Sequence, residues 1–343
     1  MRAIGDAVSG KRNRAAGRAG RVGIRLVGIP WLEIGILYAV LVALIATDVI
    51  VAALGGFSVD LSVPLQDGVY AVLFAGIGAI YAVTGRSSSL ACLLFVVAAL
   101  VFGAPAIMIL DFMTKASGFP LADQALAAWD DRLRLDWLGY EHWFSGYPWL
   151  SAAAGVLYAC APLVLLAALV ALSWTQRLRD MVGLAIATSV TLIVCVVIGG
   201  FLPAAGPYQF YGVPDGGKAF WVQTLVQVVA ERPRLVDLNG QPPLTTFPSF
   251  HTTLAVLAIL FCWRIRRFGP IFALFNLFWA LSIPVWGSHY FIDVIVGAVI
   301  AIVGYGLARA LSRLRDASGD VPAEDSVPER APSMVGVAQE AGE

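Results

Sequence analysis

Two short segments carry the side chains best suited to catalysis. The first is Phe247-Pro248-Ser249-Phe250-His251, and the second is His289-Tyr290-Phe291-Ile292-Asp293. The chain has three histidines, so two of the three fall in these segments. Each segment lies at the start of an apolar run, so each is predicted to lie at the N-terminal end of a helix.

The residue types in these segments suit phosphoryl transfer. His289 and Asp293 are four positions apart and would share a helix face, so the carboxylate can fix one imidazole tautomer and leave the other nitrogen basic. Asp293 would lie about one turn inside an apolar helix, where a charge is costly and indicates function. Ser249 suits the N-cap of the next helix, whose N–H groups form an anion site. One imidazole could then attack phosphorus while the other protonates the leaving oxygen.

The composition predicts the environment of these segments. Of the 343 residues 59% are apolar and 13% are charged, and the mean hydropathy is +0.79. Soluble domains have about 25% charged residues, so this is a polytopic membrane protein. The four cysteines lie inside apolar runs, which excludes a disulfide framework and a zinc site. We expect no metal and no cofactor.

Eight apolar runs predict about eight transmembrane helices. Most are close to the 20 or so residues that a crossing requires, and lipid demands that backbone groups bond internally. We therefore expect an all-α polytopic fold. The runs cover approximately residues 34–54, 68–85, 89–110, 150–173, 181–202, 251–263, 270–286 and 289–308.

The distribution of basic residues predicts the orientation. With a cytoplasmic N-terminus, seventeen of the 23 lysines and arginines lie inside, and each predicted inner turn is basic. From His251 one helix leads to the turn at 264–267, and the next returns to His289. Both histidines are therefore expected at the outer face of the plasma (inner) membrane, with both termini in the cytoplasm.

The remaining segments have distinct compositions. Residues 111–149 are rich in Trp and Tyr, which favours an interfacial helix in the headgroup layer. Residues 203–247 are rich in Pro and Gly and form a long outer loop that leads to the first motif. The basic arm over 1–30 indicates a topology signal rather than a nucleic-acid site, and we expect no nucleic-acid partner. The tail over 316–343 is expected to be disordered.

The two motifs resemble those of the phosphatidic acid phosphatase type 2 superfamily. Within it, Phe-Pro-Ser-x-His and His-Tyr-x-x-Asp are similar to the branch of inositolphosphorylceramide synthases, over approximately residues 115–308. The resemblance implies a six-helix core with an outer interfacial helix, and a metal-independent reaction. It implies that His289 is the nucleophile that forms a phosphohistidine, that His251 is the acid and then the base, and that Asp293 orients His289.

The chain departs from the phosphatase pattern where phosphate would be bound. Phe250 stands in place of Gly, and Ile283 in place of an Arg that follows Ser282. Position 225 is Leu where the first family motif has Lys, although Arg232-Pro233 is present. Phosphate still needs positive charge, and the cations on this loop are Arg232, Arg234 and Lys218, with Arg232 placed first. Ser249 and Ser288 complete the candidate substrate-binding residues.

These observations divide the chain into domains and leave several functions open. We expect N-terminal transmembrane helices over 31–113 and a catalytic transmembrane domain over 114–310. The enzyme would move a phosphate or phospho-head group from a lipid to an alcohol, or to water as a lipid phosphate phosphatase. Phe250 and Ile283 favour the inositolphosphotransferase-like reading. The alternatives are a transporter that uses Asp48, Asp111, Asp293 and the histidines, and an inactive membrane scaffold.

Overall fold

A computed structural model of the chain describes residues 28–266 and 268–317, with side chains up to Arg313. The predicted basic arm over 1–30 lies outside the described residues except for its last three positions. The predicted tail over 316–343 lies outside them except for its first two.

The described residues fold almost entirely into α-helices, with one parallel pair of two-residue strands. In chain order the elements are α1 (Trp31–Gly55), β1 (Ser58–Val59), α2 (Ser62–Thr84), α3 (Ser88–Lys115), α4 (Asp123–Arg132), α5 (Trp137–Ser145), α6 (Pro148–Ala159), α7 (Ala161–Trp174), α8 (Leu178–Phe201), α9 (Pro207–Tyr211), α10 (Val222–Glu231), β2 (Leu235–Val236), α11 (Phe250–Cys262), α12 (Gly269–Trp286) and α13 (Phe291–Ala317).

These helices confirm an all-α polytopic integral membrane protein. Six of the described helices are long and apolar enough to cross a membrane, namely α1, α2, α3, α8, α12 and α13, and the bent pair α6 and α7 could form a seventh span. Each of the eight predicted runs corresponds to a helix or to this pair. However, α11 has 13 residues, which is short of the 17 or so that a crossing requires. The structure therefore gives six to seven spans where about eight were expected.

The break between α6 and α7 has a local cause. The two helices meet at Cys160 with a bend of 57°. Pro162 lies in the first turn of α7, and proline has no N–H to donate to the preceding turn. A single predicted run over 150–173 therefore becomes two short helices, and the bend brings Tyr158 at the end of α6 against α11.

Helix α11 lies at the centre of the bundle and packs against α7, α8, α12 and α13. Four of its side chains are fully buried: Thr253, Ala255, Leu257 and Ala258. A Cβ atom at Gly297 of α13 would overlap the Ser249 backbone, and Thr253 Oγ1 donates to the Gly297 carbonyl at 2.9 Å. Small residues and interhelical hydrogen bonds hold helices together in lipid. Here they fix the start of α11 against the start of α13.

The two long connecting segments contain their own structure. The expected interfacial helix over 111–149 is instead the end of α3 followed by two short helices, α4 and α5. The expected loop over 203–247 contains α9, α10 and β2, and β2 pairs with β1. This pairing ties the loop to the end of α1. Carboxylates of the 111–149 segment accept hydrogen bonds from Leu244 before α11, from Phe291 at the start of α13 and from Gly206 of the other segment.

Candidate active site

The turn before α13 presents His289. Its Nδ1 lies 3.2 Å from Asp293 Oδ2, the hydrogen bond that the spacing predicted. The same carboxylate oxygen accepts the backbone N–H of Tyr290 at 3.0 Å. Because α13 begins at Phe291 rather than at 289, His289 lies in the preceding turn and Asp293 lies in the first helical turn. The carboxylate thus orients the ring across a turn and not along one helix face.

Close backbone packing leaves one side of the His289 ring free of side chains. A Cβ atom at Gly287 would overlap the His289 ring and would lie 3.0 Å from its Nε2 atom. The next residue, Ser288, has a positive φ of 49° and is fully buried. Its hydroxyl has no hydrogen-bond partner among the described residues. The Gly287 backbone therefore packs against the edge of the ring that carries Nε2, and the adjacent Ser288 hydroxyl is unsatisfied.

The first motif forms the start of α11. Ser249 is its N-cap, as predicted, and its Oγ accepts from Thr252 N at 3.4 Å. The Ser249 N–H donates to the backbone carbonyl of Asp293 at 3.2 Å, which joins the two motifs directly. The N–H groups of Phe250 and His251 have no acceptor in the part of the chain that the structure describes. Two such groups at a helix N-terminus form an anion site.

The His251 ring faces His289. Its centroid lies 6.4 Å from that of His289. The Nδ1 atom of His251 lies 3.3 Å from the Tyr158 hydroxyl, and the two rings stack at 4.6 Å between centroids. Trp279 of α12 packs edge-on at 6.0 Å. Tyr158 and Trp279 therefore hold the second imidazole in place opposite the first.

Helix α4 anchors the His289 turn from outside the bundle. Asp130 is 1% exposed, and its two oxygens accept the N–H groups of Phe291 and Ile292, both at 2.8 Å. Asp123 accepts the Tyr290 hydroxyl at 3.0 Å and the N–H groups of Ala205 and Gly206. Gly206 has a φ of 90°, and a side chain there would overlap Ser288. The Trp- and Tyr-rich composition of this segment predicted a place at the membrane interface, and neither carboxylate was predicted to contact the site.

A buried ion pair anchors the segment before Ser249. Lys115 has a fully buried side chain whose Nζ lies 3.1 Å from Asp111 Oδ1 and 3.2 Å from Thr245 Oγ1. Asp111 also accepts the N–H groups of Leu244 and Thr245 at 2.7 and 3.1 Å. The sequence signal was an i,i+4 acid–base pair at the end of an apolar run, in which Asp111 was considered only for the alternative transporter.

Burial keeps the His289 imidazole neutral. Desolvation and, to a smaller extent, the neighbouring His251 lower the pKa of His289 to about 3, while a hydrogen bond to the Thr246 backbone acts in the opposite direction. The 3.2 Å contact with Asp293 is close enough for an ion pair. With this low pKa, however, it is a hydrogen bond from a neutral ring. A neutral imidazole is the nucleophilic form.

The structure separates the three predicted cations. Arg232 is exposed and its Nη2 donates to the Gly118 carbonyl at 3.3 Å. Arg234 donates to the Gly55 carbonyl at the end of α1. Lys218 donates to the Tyr208 hydroxyl at 3.1 Å and lies 5.9 Å from the centre of the Trp286 ring. Among the described contacts, none joins these cations to His251 or His289.

The two departures from the phosphatase pattern differ in their burial. Ile283 is fully buried in α12, whereas Phe250 is partly buried. Phe250 lines an apolar cavity of about 410 Å³ together with Leu41, Leu44, Leu165 and other side chains of α1, α3, α7 and α8. Within the described residues, no group of three or more His, Cys, Asp or Glu side chains is arranged to hold a metal ion.

Comparison with known proteins identifies the family. A family model described as the PAP2 superfamily matches residues 124–307, more than half of the chain. No curated protein and no solved structure matches the chain. The matched residues extend from α4 into α13 and include both histidines and Asp293. Helices α1, α2 and α3 lie outside the match.

Proposed function

The chain belongs to the PAP2 superfamily of phosphatases and phosphotransferases, and we propose that it moves a phosphate or phospho-head group from a lipid through a phosphohistidine at His289. One observation carries this proposal. The centroids of two imidazole rings lie 6.4 Å apart, and one of the rings is hydrogen-bonded to a buried carboxylate. In-line transfer needs one group to attack phosphorus and another to protonate the leaving oxygen, and two neighbouring imidazole rings suit these two roles.

In the first half-reaction, His289 Nε2 attacks phosphorus and a P–N bond forms. The bond between phosphorus and the leaving oxygen breaks, and His251 donates a proton to that oxygen. Asp293 holds the opposite nitrogen, Nδ1, as the N–H tautomer and stabilises the cationic phosphohistidine. In the second half-reaction, His251 takes a proton from the acceptor hydroxyl, whose oxygen attacks phosphorus. The P–N bond then breaks and His289 is restored.

We propose which groups stabilise the phosphate oxygens from their positions relative to the two histidines. The free N–H groups of Phe250 and His251 at the start of α11 suit an anion. The unpartnered Ser288 hydroxyl lies beside His289 and can donate a further hydrogen bond. Of the three predicted cations, the contact of Lys218 with Trp286 favours Lys218 over Arg232, because Trp286 directly precedes the His289 turn.

The surroundings of the site support a lipid substrate and an alcohol acceptor. The apolar cavity that Phe250 lines has the volume and lining for part of a hydrocarbon chain. His289 is only 3% exposed, and a site that excludes water limits hydrolysis of a reactive intermediate. These features favour the inositolphosphotransferase-like branch, with a polyol or a lipid hydroxyl as acceptor, over a simple lipid phosphate phosphatase that uses water.

We also propose a division of the chain into domains and an orientation in the membrane. The family match over 124–307 supports a catalytic domain over 114–310 that follows separate N-terminal helices over 31–113. The basic residues support cytoplasmic termini and an active site on the outer face of the plasma membrane.

Product analysis tests this function. Purified protein in nanodiscs is incubated with labelled lipid phosphates and phospholipids, with and without polyols. We expect the head group to move to a new acceptor, and we expect His289→Ala to abolish turnover. His142→Ala is the matched control, because His142 is exposed and is the one histidine of the three that lies in neither motif. Release of free phosphate alone would support the phosphatase. His289-dependent solute uptake without lipid turnover would support the transporter instead.

A further inference from the structure

A second cavity lies among the N-terminal helices, outside the residues that match the family model. Its volume is about 400 Å³, and α1, α2, α3 and β1 enclose it. Ten of its lining residues are apolar, among them Ile45, Phe102 and Ile109. The remaining one is Asp48. A single carboxylate in an otherwise apolar chamber is an unusual lining that packing alone does not require.

Asp48 has no compensating partner for one of its oxygens. The residue is 7% exposed, and its Oδ1 is buried with no hydrogen-bond partner among the described residues. Buried polar groups are nearly always paired, and an ionisable side chain inside a membrane helix indicates a functional site by default. The helix itself does not need the acid, because almost every other residue of α1 is apolar.

We propose that this cavity binds an amphiphile with an apolar body and a single hydrogen-bond donor, a hydroxyl or an amine, which pairs with Asp48. The volume falls within the range of about 300–1,000 Å³ that small-molecule sites occupy. The apolar lining takes the body of the ligand, and its one donor satisfies the orphaned carboxylate oxygen. The inference does not depend on the histidine site, since Asp48 lies on a different set of helices.

The ligand would enter from the membrane. Val49 and Leu61 line the cavity and are 64% and 55% exposed, so the chamber opens to an apolar surface. Asp48 lies seven residues before the end of α1, about 10 Å along the helix axis at 1.5 Å per residue. A donor on the head of an amphiphile can reach this depth while the body stays in the cavity.

Photoaffinity labelling tests the proposal on the full chain in nanodiscs. The probes are a long-chain diazirine alcohol, the amine of equal length, and the alkane without a head group. We expect at least one headed probe to label residues 45–61 or 102–109 about tenfold more than the alkane does. Asp48→Leu should reduce that labelling to the level of the alkane. Asp48→Asn keeps an acceptor oxygen, so it should retain labelling by the alcohol but lose labelling by the amine.

Two outcomes would overturn the proposal. One is equal labelling by the alkane and both headed probes in the wild-type chain, a comparison that needs no variant. The other is unchanged labelling in Asp48→Leu. A thermal melt separates loss of the site from loss of the fold. Without probe, Asp48→Leu should melt at or above the wild-type temperature, because it removes an unpaired buried carboxylate. Ligand-induced stabilisation should be seen only in the wild-type chain and in Asp48→Asn.

Discussion

Replacing Asp130 by Ala should loosen the turn that carries His289 without altering either histidine. The two oxygens of Asp130 accept the N–H groups of Phe291 and Ile292 at 2.8 Å each. These residues open α13, where N–H groups have no acceptor in their own helix. Asp130 is 1% exposed, whereas Phe291 and Ile292 are partly exposed, so water can replace the lost acceptors only in part.

The size of the effect follows from these two bonds. A buried donor that loses its acceptor costs about 1–3 kcal/mol. Two half-buried donors that recover part of this through water would together cost about 3 kcal/mol. Since 1.4 kcal/mol corresponds to a factor of ten, the local opening equilibrium should increase about 100-fold.

Hydrogen exchange with mass spectrometry measures this opening directly. In Asp130→Ala, peptides covering 287–294 should exchange about 100-fold faster than in the wild-type chain. Asp130→Asn retains one acceptor oxygen and should give an intermediate rate. Asp131→Ala is the matched control, since Asp131 is exposed on the same helix. Lipid turnover should fall in parallel, because small misplacements of a reacting group cost up to about 100-fold in rate. Equal exchange in the variants at 130 and 131 would refute the anchoring role of α4.

Three further predictions concern the site and its supports. Gly287→Ala should abolish turnover while the protein still folds, because the new methyl group meets the His289 ring and approaches its Nε2 to 3.0 Å. Retained turnover would contradict the proposal that this nitrogen attacks phosphorus. Lys115→Met should lower the melting temperature by about 10 °C, since an unpaired buried Asp111 costs about 3–5 kcal/mol; a melt within 2 °C or so of wild type would show that the pair contributes little. The NMR signal of the His289 ring should not titrate between pH 5 and 8, because burial lowers its pKa to about 3. The unfolded chain therefore binds the proton first, and stability should fall as pH drops below about 6.5 towards 3.

The sequence predicted the local geometry of the candidate site because the signals for it are local. The spacing of His289 and Asp293 and the position of Ser249 each depend on one turn of chain, and the structure contains the expected hydrogen bond and helix cap. The long apolar runs likewise corresponded to helices. The 13 residues of α11 match the short run predicted over 251–263. The break at Cys160 was harder to predict, since it lies within a run of unbroken apolarity.

The supporting shell could not be predicted from the sequence. Asp130 contacts residues about 160 positions away, and no periodic pattern connects them. The three cations on the 203–247 loop show the opposite case, in which residues on one stretch of the sequence are separated by the fold. They are close in sequence to Ser249, but the fold directs Arg232 to Gly118 and Arg234 to the end of α1. Separation along a loop says little about distance in space when short helices and a strand pair shape that loop.

Trapping the covalent intermediate tests the central claim most directly. Protein incubated with a lipid substrate labelled with ³²P at its phosphate is quenched in alkali, where phosphohistidine survives, and the labelled peptide is sequenced. We predict label on His289 and loss of the label in His289→Ala. In His251→Ala the label should accumulate when the substrate has a good leaving group, because such a substrate does not need the acid. Label on a serine or an aspartate, or label that persists in His289→Ala, would contradict the mechanism.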